Sequence, residues 1–151
     1  QMPLPQDGQL VRRVSEGLLV QLDGIAQLVT TPRPEQTPRQ LLQDLLSNNK
    51  YKLTSQPAVG VSSYDETSGK AEFCVWVKAV DTIFDETACG SGTCAIGVAR
   101  AWETGQSTTL DVIQPSGETI RTEANYGPGT VNASFITGGV KILYDGALEL
   151  A

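Results

Sequence analysis

The residues best suited to chemistry lie in one short segment, in which cysteine, glycine and serine are closely spaced. It runs from Glu86 to Ala95 and reads Glu-Thr-Ala-Cys-Gly-Ser-Gly-Thr-Cys-Ala. A small-residue helix follows, and the free N–H groups of a helix's first turn attract anions such as carboxylates. The same helix end is expected to lower the pKa of the Cys89 thiol. The segment could therefore hold a substrate carboxylate and present a base that removes the proton from the adjacent carbon.

A purely structural explanation of the same segment is also open. A Gly-Ser-Gly turn is common at a helix start, and buried cysteines are usually inert. Cys94 follows Cys89 by five residues, so it points about 140° round the helix from it and is predicted to be structural. Cys74 lies in a strand rich in aromatic and branched residues and is predicted to be core. No metal site is expected, because no Cys-x-x-Cys pair exists.

The composition excludes several classes of active site. The 151 residues contain no histidine, so Ser-His-Asp and Cys-His catalysis and histidine-ligated zinc or haem are ruled out within this chain. The net charge of -6 argues against a broad nucleic-acid or anionic-membrane surface. No apolar run reaches the ~18 residues that a membrane-spanning helix needs. The lack of a secretory signal pattern and the odd number of cysteines predict a cytoplasmic protein with reduced thiols.

The elements that position the segment are predicted to be mainly strands. Residues 1–16 are polar and are predicted to be an irregular N-terminal segment or linker, followed by one domain over 17–151. Thr37-Pro38 predicts the start of an amphipathic helix, and small residues from Ala95 predict a central helix that ends at Gly105. A mostly antiparallel sheet around one central helix is an α+β fold. The predicted strands cover residues 18–22, 25–29 (a strand or a helix start), 59–64, 71–80, 108–114, 118–125, 130–136 and 140–150.

The segment from Glu86 to Ala95 resembles the second cysteine motif of the diaminopimelate epimerase superfamily, a family of cofactor-independent amino-acid racemases and epimerases. Residues 22–29 are similar to the family's inter-domain strand, and residues 137–150 to its closing strands. The resemblance implies that the chain is the C-terminal half of the family fold, a mostly antiparallel sheet or barrel wrapped around a central helix. It also implies an isomerase that needs no PLP, metal or other cofactor.

The family's chemistry uses two cysteines on opposite faces of the substrate α-carbon, one as thiolate and one as thiol. By resemblance, Cys89 is one of them, and the backbone N–H groups of Gly90 and Ser91 hold the α-carboxylate. The chain has no second motif of the Cys-Gly-Asn-Gly type, and Cys74 and Cys94 do not fit that role. The resemblance therefore implies an N-terminal half, in the same gene product or a separate chain, that carries the second cysteine. The apolar surface that it would cover is expected to drive pairing or self-association, including homodimers.

Two departures from the family bear on the substrate. Asp81 and Thr82 stand where diaminopimelate epimerase has a Glu-Arg pair; Asp81 could pair with a substrate ammonium, but Thr82 cannot hold a distal carboxylate as arginine does. Asp23 stands where the family has an asparagine. Two carboxylates without an arginine suit a neutral or cationic side chain, and the pattern is more similar to histidine racemases of opine-type metallophore pathways. Ordinary turn or strand-end chemistry is an equally open explanation of Asp81 and Asp23.

Three functions follow from these observations. The first hypothesis is half of a PLP-independent racemase or epimerase that acts on a basic or imidazole amino acid such as histidine. Diaminopimelate epimerase itself is the alternative within the enzyme class, and turnover of diaminopimelate alone would favour it. A non-catalytic amino-acid-binding module of the same fold is the alternative outside that class, and a partner half without a cysteine would favour it.

Overall fold

The computed structural model describes residues 1–4 and 10–140. These residues form two α-helices, α1 (Pro38–Ser47) and α2 (Gly90–Thr104), and short 3-10 turns at Lys50–Ser55 and Lys78–Val80. The strands are β1 (Val11–Val14), β2 (Gly17–Leu22), β3 (Ile25–Thr30), β4 (Ala58–Asp65), β5 (Lys70–Val77), β6 (Thr82–Glu86), β7 (Thr108–Ile113), β8 (Thr119–Gly127) and β9 (Thr130–Gly138). None of the helices formed by the described residues is both long enough and apolar enough to cross a membrane.

The nine strands belong to one sheet in the order β1-β2-β3-β4-β5-β7-β8-β9, and β6 pairs with β5 beside β7. Neighbouring strands are antiparallel except for the pairs β3–β4 and β5–β7, which are parallel. The sheet curls around α2, which contacts strands from β1 and β2 on one side to β8 and β9 on the other. The predicted α+β class, with a mostly antiparallel sheet around a central helix, is confirmed. The specific likeness to a diaminopimelate epimerase half stays a prediction.

Helix α2 fills the concave face of the sheet because its side chains are small. Nine of its 15 residues are buried. At Gly97 a Cβ atom would lie 2.4 Å from Thr122 Oγ1 in β8, so the helix can approach this strand only with glycine there. The helix ends at Gly105, which has a left-handed backbone (φ 65°) and donates its N–H to the Ala101 carbonyl.

Helix α1 covers the opposite face of the sheet. Its start is fixed by a capping box, in which the Thr37 side chain accepts from the Gln40 N–H and the Gln40 side chain accepts from the Thr37 N–H. Pro38 occupies the first helical position, as the sequence predicts. The buried residues of the helix are Leu41, Leu42 and Leu45. They form one cluster with residues of the sheet, which include Leu28, Val59, Val61, Cys74 and Trp76.

Two strands form where the sequence does not predict them. Val11–Val14 lies within the segment predicted to be irregular, yet it pairs with β2. Val11 is buried against the sheet, whereas the two arginines that follow it are exposed. Thr82–Glu86 is an edge strand with no fully buried residue, so it lacks the apolar alternation that marks a half-buried strand. The predicted closing strand over 140–150 lies outside the described residues except for its first residue.

Replacing Gly97 by alanine should destabilise the domain, although alanine favours a helix interior by about 1 kcal/mol. The new Cβ would lie 2.4 Å from Oγ1 and 2.9 Å from Cγ2 of the fully buried Thr122. We expect the free energy of unfolding to fall by about 1–3 kcal/mol in urea denaturation. Gly139→Ala is the control, because a Cβ there meets nothing within 4 Å. Unchanged stability of Gly97→Ala would contradict the close packing of α2 on β8.

Candidate active site

Cys89 is the N-cap residue of α2, and its thiol closes the first turn of the helix. Its backbone is extended, and its Sγ accepts a hydrogen bond from the Gly92 N–H at 3.2 Å. This is the position at which serine or aspartate usually satisfies one free N–H of the first turn. Gly90 and Ser91 occupy the first two helical positions, where no carbonyl of the helix can accept their N–H groups. Cys89, Gly90 and Ser91 therefore lie together at one helix end.

Gln114, which directly follows β7, fixes the backbone of Cys89. Its Oε1 accepts from the Cys89 N–H at 3.0 Å. Its Nε2 donates to Thr93 Oγ1 at 3.0 Å and to the Val112 carbonyl at 3.1 Å. The Gln114 residue is 2% exposed, so these hydrogen bonds replace water that cannot reach it. The first turn of α2 is thus tied to the end of β7 by one amide.

Gln27 in β3 holds Ser91 from the other side. It is 1% exposed; its Nε2 donates to Ser91 Oγ at 3.0 Å, and its Oε1 accepts from Ser62 Oγ at 3.1 Å. Gly60 lies opposite Gln27 in the β3–β4 register, and a Cβ there would lie 2.1 Å from Gln27 Oε1. Ser91 Oγ lies 3.5 Å from Cys89 Sγ. One hydroxyl therefore separates the buried amide from the thiol.

The electrostatic environment keeps Cys89 protonated. Burial raises the pKa of the thiol from its ordinary value of 9.0 to about 12, and the neighbouring Glu86 carboxylate adds to the rise. Hydrogen bonds from Ser91 and from the Gly92 N–H favour the thiolate but are outweighed. The expectation of a lowered pKa for the Cys89 thiol is therefore wrong. The helix end acts in the expected direction, but a residue only 3% exposed loses more by desolvation.

The structure does not bring Asp81 and Thr82 to Cys89. Thr82 is the first residue of β6 and Asp81 precedes it, whereas Cys89 follows the end of the strand, and four steps along a strand span roughly 13 Å. Asp81 Oδ1 accepts from Trp76 Nε1 at 2.9 Å, beside the cluster beneath α1. Thr82 Oγ1 donates to the Val80 carbonyl. Their roles in substrate binding stay predictions.

The turn that contains Asp23 lies at the same end of the sheet as Thr82, because Ala26, Val59, Trp76 and Ile83 are register partners on successive strands. Asp23 is exposed in the turn between β2 and β3, where Gly24 has a left-handed backbone (φ 80°). Ile25, the first residue after this turn, packs against the cluster that contains Cys89. Val29, near the other end of β3, packs against the same cluster, so this contact does not place Asp23 at the start of α2. Contact between Asp23 and a substrate stays a prediction.

The other two cysteines are buried in clusters that do not contain Cys89. Cys74 packs beneath α1, and burial raises its pKa to about 12. Cys94 Sγ lies 3.1 Å from Ser134 Oγ of β9. Within residues 1–4 and 10–140, no group of three or more His, Cys, Asp or Glu side chains is placed to hold a metal ion.

Sequence reasoning did not identify Gln27 and Gln114, although both support the candidate site. Gln27 carries a readable signal, since a long amide stands between Ala26 and Leu28 in an otherwise apolar strand and must find buried partners. Gln114 carries none, because a polar residue before the turn over 115–117 is ordinary.

Alkylation of Cys89 by iodoacetamide should be slow at neutral pH because burial raises the pKa of the thiol to about 12. In the folded protein, the rate should rise about tenfold per pH unit and should still be rising at about pH 10. In the urea-unfolded chain it should level off near the ordinary pKa of 9.0. A plateau below pH 9 in the folded protein would contradict this.

The same pKa shift sets the direction of a stability change with pH. Folding favours the protonated thiol, so this group's contribution to stability is constant below about pH 9. Between about pH 9 and about pH 12 the unfolded chain binds fewer protons than the folded one, and the free energy of unfolding should fall.

Gln114→Leu should destabilise the domain because it leaves the Cys89 N–H and the Thr93 hydroxyl buried without their amide partner. We expect a loss of about 2–4 kcal/mol in the free energy of unfolding, measured by urea denaturation. Gln106→Leu makes the same change at an exposed position after α2 and should alter stability by less than about 0.5 kcal/mol. Equal stabilities of the two variants would show that the Gln114 amide does not secure this turn.

The family model of the histidine racemase CntK N-terminal domain matches residues 2–148. No curated protein matches the chain. Because the matched model is of an N-terminal domain, the assignment of the chain to a C-terminal half of a diaminopimelate epimerase-like fold is not supported. That assignment rested on the motif from Glu86 to Ala95 and on the likeness of residues 22–29 and 137–150 to family strands, and none of these patterns determines which of two domains contains it. A partner that carries a second cysteine stays a prediction.

Proposed function

The chain belongs to the family of the histidine racemase CntK N-terminal domain, and we propose that it supplies one acid–base face of a racemase that acts on histidine. The observation that supports this chemistry is the position of Cys89 at the N-cap of α2. Its sulfur lies at the same helix end as the N–H groups of Gly90 and Ser91. This arrangement suits a group that exchanges a proton beside a bound carboxylate.

The proposed reaction moves one proton off and one proton onto the substrate α-carbon. The N–H groups of Gly90 and Ser91 bind the α-carboxylate, and the partial positive charge of the helix end stabilises the extra negative charge that develops on it. A base on the opposite face removes the α-proton, and the Cys89 thiol donates its proton to the nearer face. For the other enantiomer, Cys89 acts as the thiolate base and the opposite group as the acid. No step passes through PLP or a metal.

A resting thiol at Cys89 is compatible with this scheme. One of two acid–base groups must be protonated when each enantiomer binds, and burial favours the protonated form of Cys89. The thiolate left after proton donation can accept from the Gly92 N–H and from the Ser91 hydroxyl. The acid–base group on the opposite face is proposed to be a second cysteine. It would come from another domain or from another chain, including a second copy of this one.

The preference for histidine is proposed from the family and from the charges near the site. Asp23, in the exposed turn between β2 and β3, is the first candidate to meet the substrate's ammonium or imidazole. Asp81 is the second candidate, although it lies at the far end of β6. A place in the biosynthesis of an opine-type metallophore is proposed from the resemblance alone, and a place in the cytoplasm is proposed from the odd number of cysteines.

Cys89→Ser in the complete enzyme should abolish racemisation of L- and D-histidine while leaving the fold intact. Serine keeps the N-cap hydrogen bond but is a far weaker acid–base group. We therefore expect the rate of racemisation, measured by chiral chromatography, to fall by at least about 100-fold. Cys94→Ser is the matched control, since it makes the same change five residues later in α2 and should stay within about threefold of wild type. Retained racemisation in Cys89→Ser would exclude Cys89 from the reaction.

Deuterium uptake at Cα in D₂O separates the remaining alternatives. If Cys89 is one of two bases, its serine variant should still exchange the α-proton of one enantiomer, through the opposite base, without racemising it. Wild-type turnover of diaminopimelate but not histidine would favour the epimerase alternative. Binding of amino acids without any Cα exchange in the wild type would favour the non-catalytic module.

A further inference from the structure

The direction of the hydrogen bonds around Gln27 determines where the Ser91 proton points. An amide NH₂ group only donates, so Gln27 Nε2, at 3.0 Å from Ser91 Oγ, makes the serine oxygen an acceptor. The Ser91 hydroxyl proton is then free to be donated elsewhere. Cys89 Sγ lies 3.5 Å from the same oxygen, within reach of a hydroxyl donor to sulfur.

The position of the Gln27 amide is fixed by its surroundings, with Nε2 as the atom that faces Ser91 and Oε1 as the atom that faces Ser62. Ser62 Oγ lies 3.1 Å from Gln27 Oε1, and Ser62 is fully buried. The amide lies over Gly60, where any Cβ would occupy the space of all three amide atoms. The side chain is therefore confined between β4 and the first turn of α2. A residue that only filled space in this core would not need an amide, since leucine or methionine would satisfy the same volume.

From these contacts we propose that Gln27 is a positioning residue, which orients the Ser91 hydroxyl as a donor to the Cys89 sulfur. The relay runs from Ser62 Oγ–H to Gln27 Oε1, from Gln27 Nε2–H to Ser91 Oγ, and from Ser91 Oγ–H to Cys89 Sγ. Its effect is to stabilise the thiolate, the form of Cys89 that the reaction must produce in one direction and consume in the other. The catalytic importance of the relay rests on the proposed racemase function; the relay itself does not.

The relay predicts that Gln27 and Ser91 act on Cys89 as one unit. Gln27→Met keeps the volume and removes the donor, and Ser91→Ala removes the hydroxyl but keeps the backbone N–H. Each change should reduce the rate of Cys89 alkylation by iodoacetamide by roughly three- to tenfold between about pH 9 and about pH 10, with the site identified by peptide mass spectrometry. The double variant should be no slower than Ser91→Ala alone, because both changes break the same relay.

Matched variants separate the relay from a purely structural role. Gln21→Met makes the same change in the neighbouring strand β2, where the amide contacts the Leu22 carbonyl and Gln56 and has no path to Ser91. The rate of Cys89 alkylation in Gln21→Met, and its dependence on pH, should equal those of the wild type. Additive effects of Gln27→Met and Ser91→Ala, or a wild-type profile in Gln27→Met, would overturn the proposal.

If Gln27→Met does not fold, Ser62→Ala supplies the test, since it releases the amide oxygen with a minimal change in volume. A smaller reduction of the alkylation rate, in the same direction, is the expected result, and a wild-type profile would again overturn the relay. In the complete enzyme, Gln27→Met should lower kcat more than it changes KM and should shift the pH dependence of kcat upward. If alkylation confirms the relay but the complete enzyme does not racemise histidine, the proposed function is refuted and the relay stands.

Discussion

The seating of the first turn of α2 against the sheet is the constraint on which the candidate site depends. At Gly92 a Cβ would lie 2.5 Å from the Phe73 ring and 2.7 Å from Ser62 Oγ, so the helix can begin at this depth only with glycine there. The approach places the Cys89 sulfur in the apolar cluster with Phe73 and Ile96. It also brings the N-terminal residues of the helix within hydrogen-bond reach of side chains from β3 and β7. Burial of the thiol and fixation of the turn are thus two results of one close contact.

The same contact creates opposing electrostatic effects at the sulfur. Desolvation and the Glu86 carboxylate favour the thiol, whereas the helix end and the Ser91 hydroxyl favour the thiolate. The first pair prevails, yet the donors that would stabilise the thiolate are already in place and need no rearrangement. A site with this balance favours the thiol while keeping donors in place for the thiolate, as the proposed exchange of a proton at Cys89 would require.

The sequence predicted the parts of the fold whose patterns are local. The capping residues Thr37 and Pro38 marked the start of α1, and Gly105 marked the end of α2. Residues 11–14 and β6 were missed because their stability comes from neighbouring strands that are distant in sequence. At the site, the position of Cys89 at a helix start was predicted from the adjacent glycines. Its depth, and hence its pKa, depends on how closely Phe73 and Ser62 approach, and no spacing of residues in the sequence records that distance.

The two glutamines of the site could not be predicted as a pair for the same reason. Gln27 and Gln114 are 87 positions apart, and what unites them is that both amides bind residues at the start of α2, Ser91 and Cys89. The family match corrected a different error. The spacing of glycine and cysteine from Glu86 to Ala95 describes a helix start, and the strand patterns of residues 22–29 and 137–150 describe strands; neither carries information on which half of an enzyme contains it.

Strand β5 shares one edge between two partners, since β7 meets it at Lys70 while β6 pairs with it from Phe73 onward. Beside this point the chain leaves β6 and enters the interior through residues 86–89, and this short connection is held at both ends. Glu86 is paired with Phe73, the Thr87 carbonyl accepts from the Ser116 N–H, and the Cys89 N–H is bound by Gln114. Only Thr87 and Ala88 lie between the last strand residue and the thiol. The length of this connection is therefore fixed by geometry, so substitutions can be tolerated there more readily than an inserted or deleted residue.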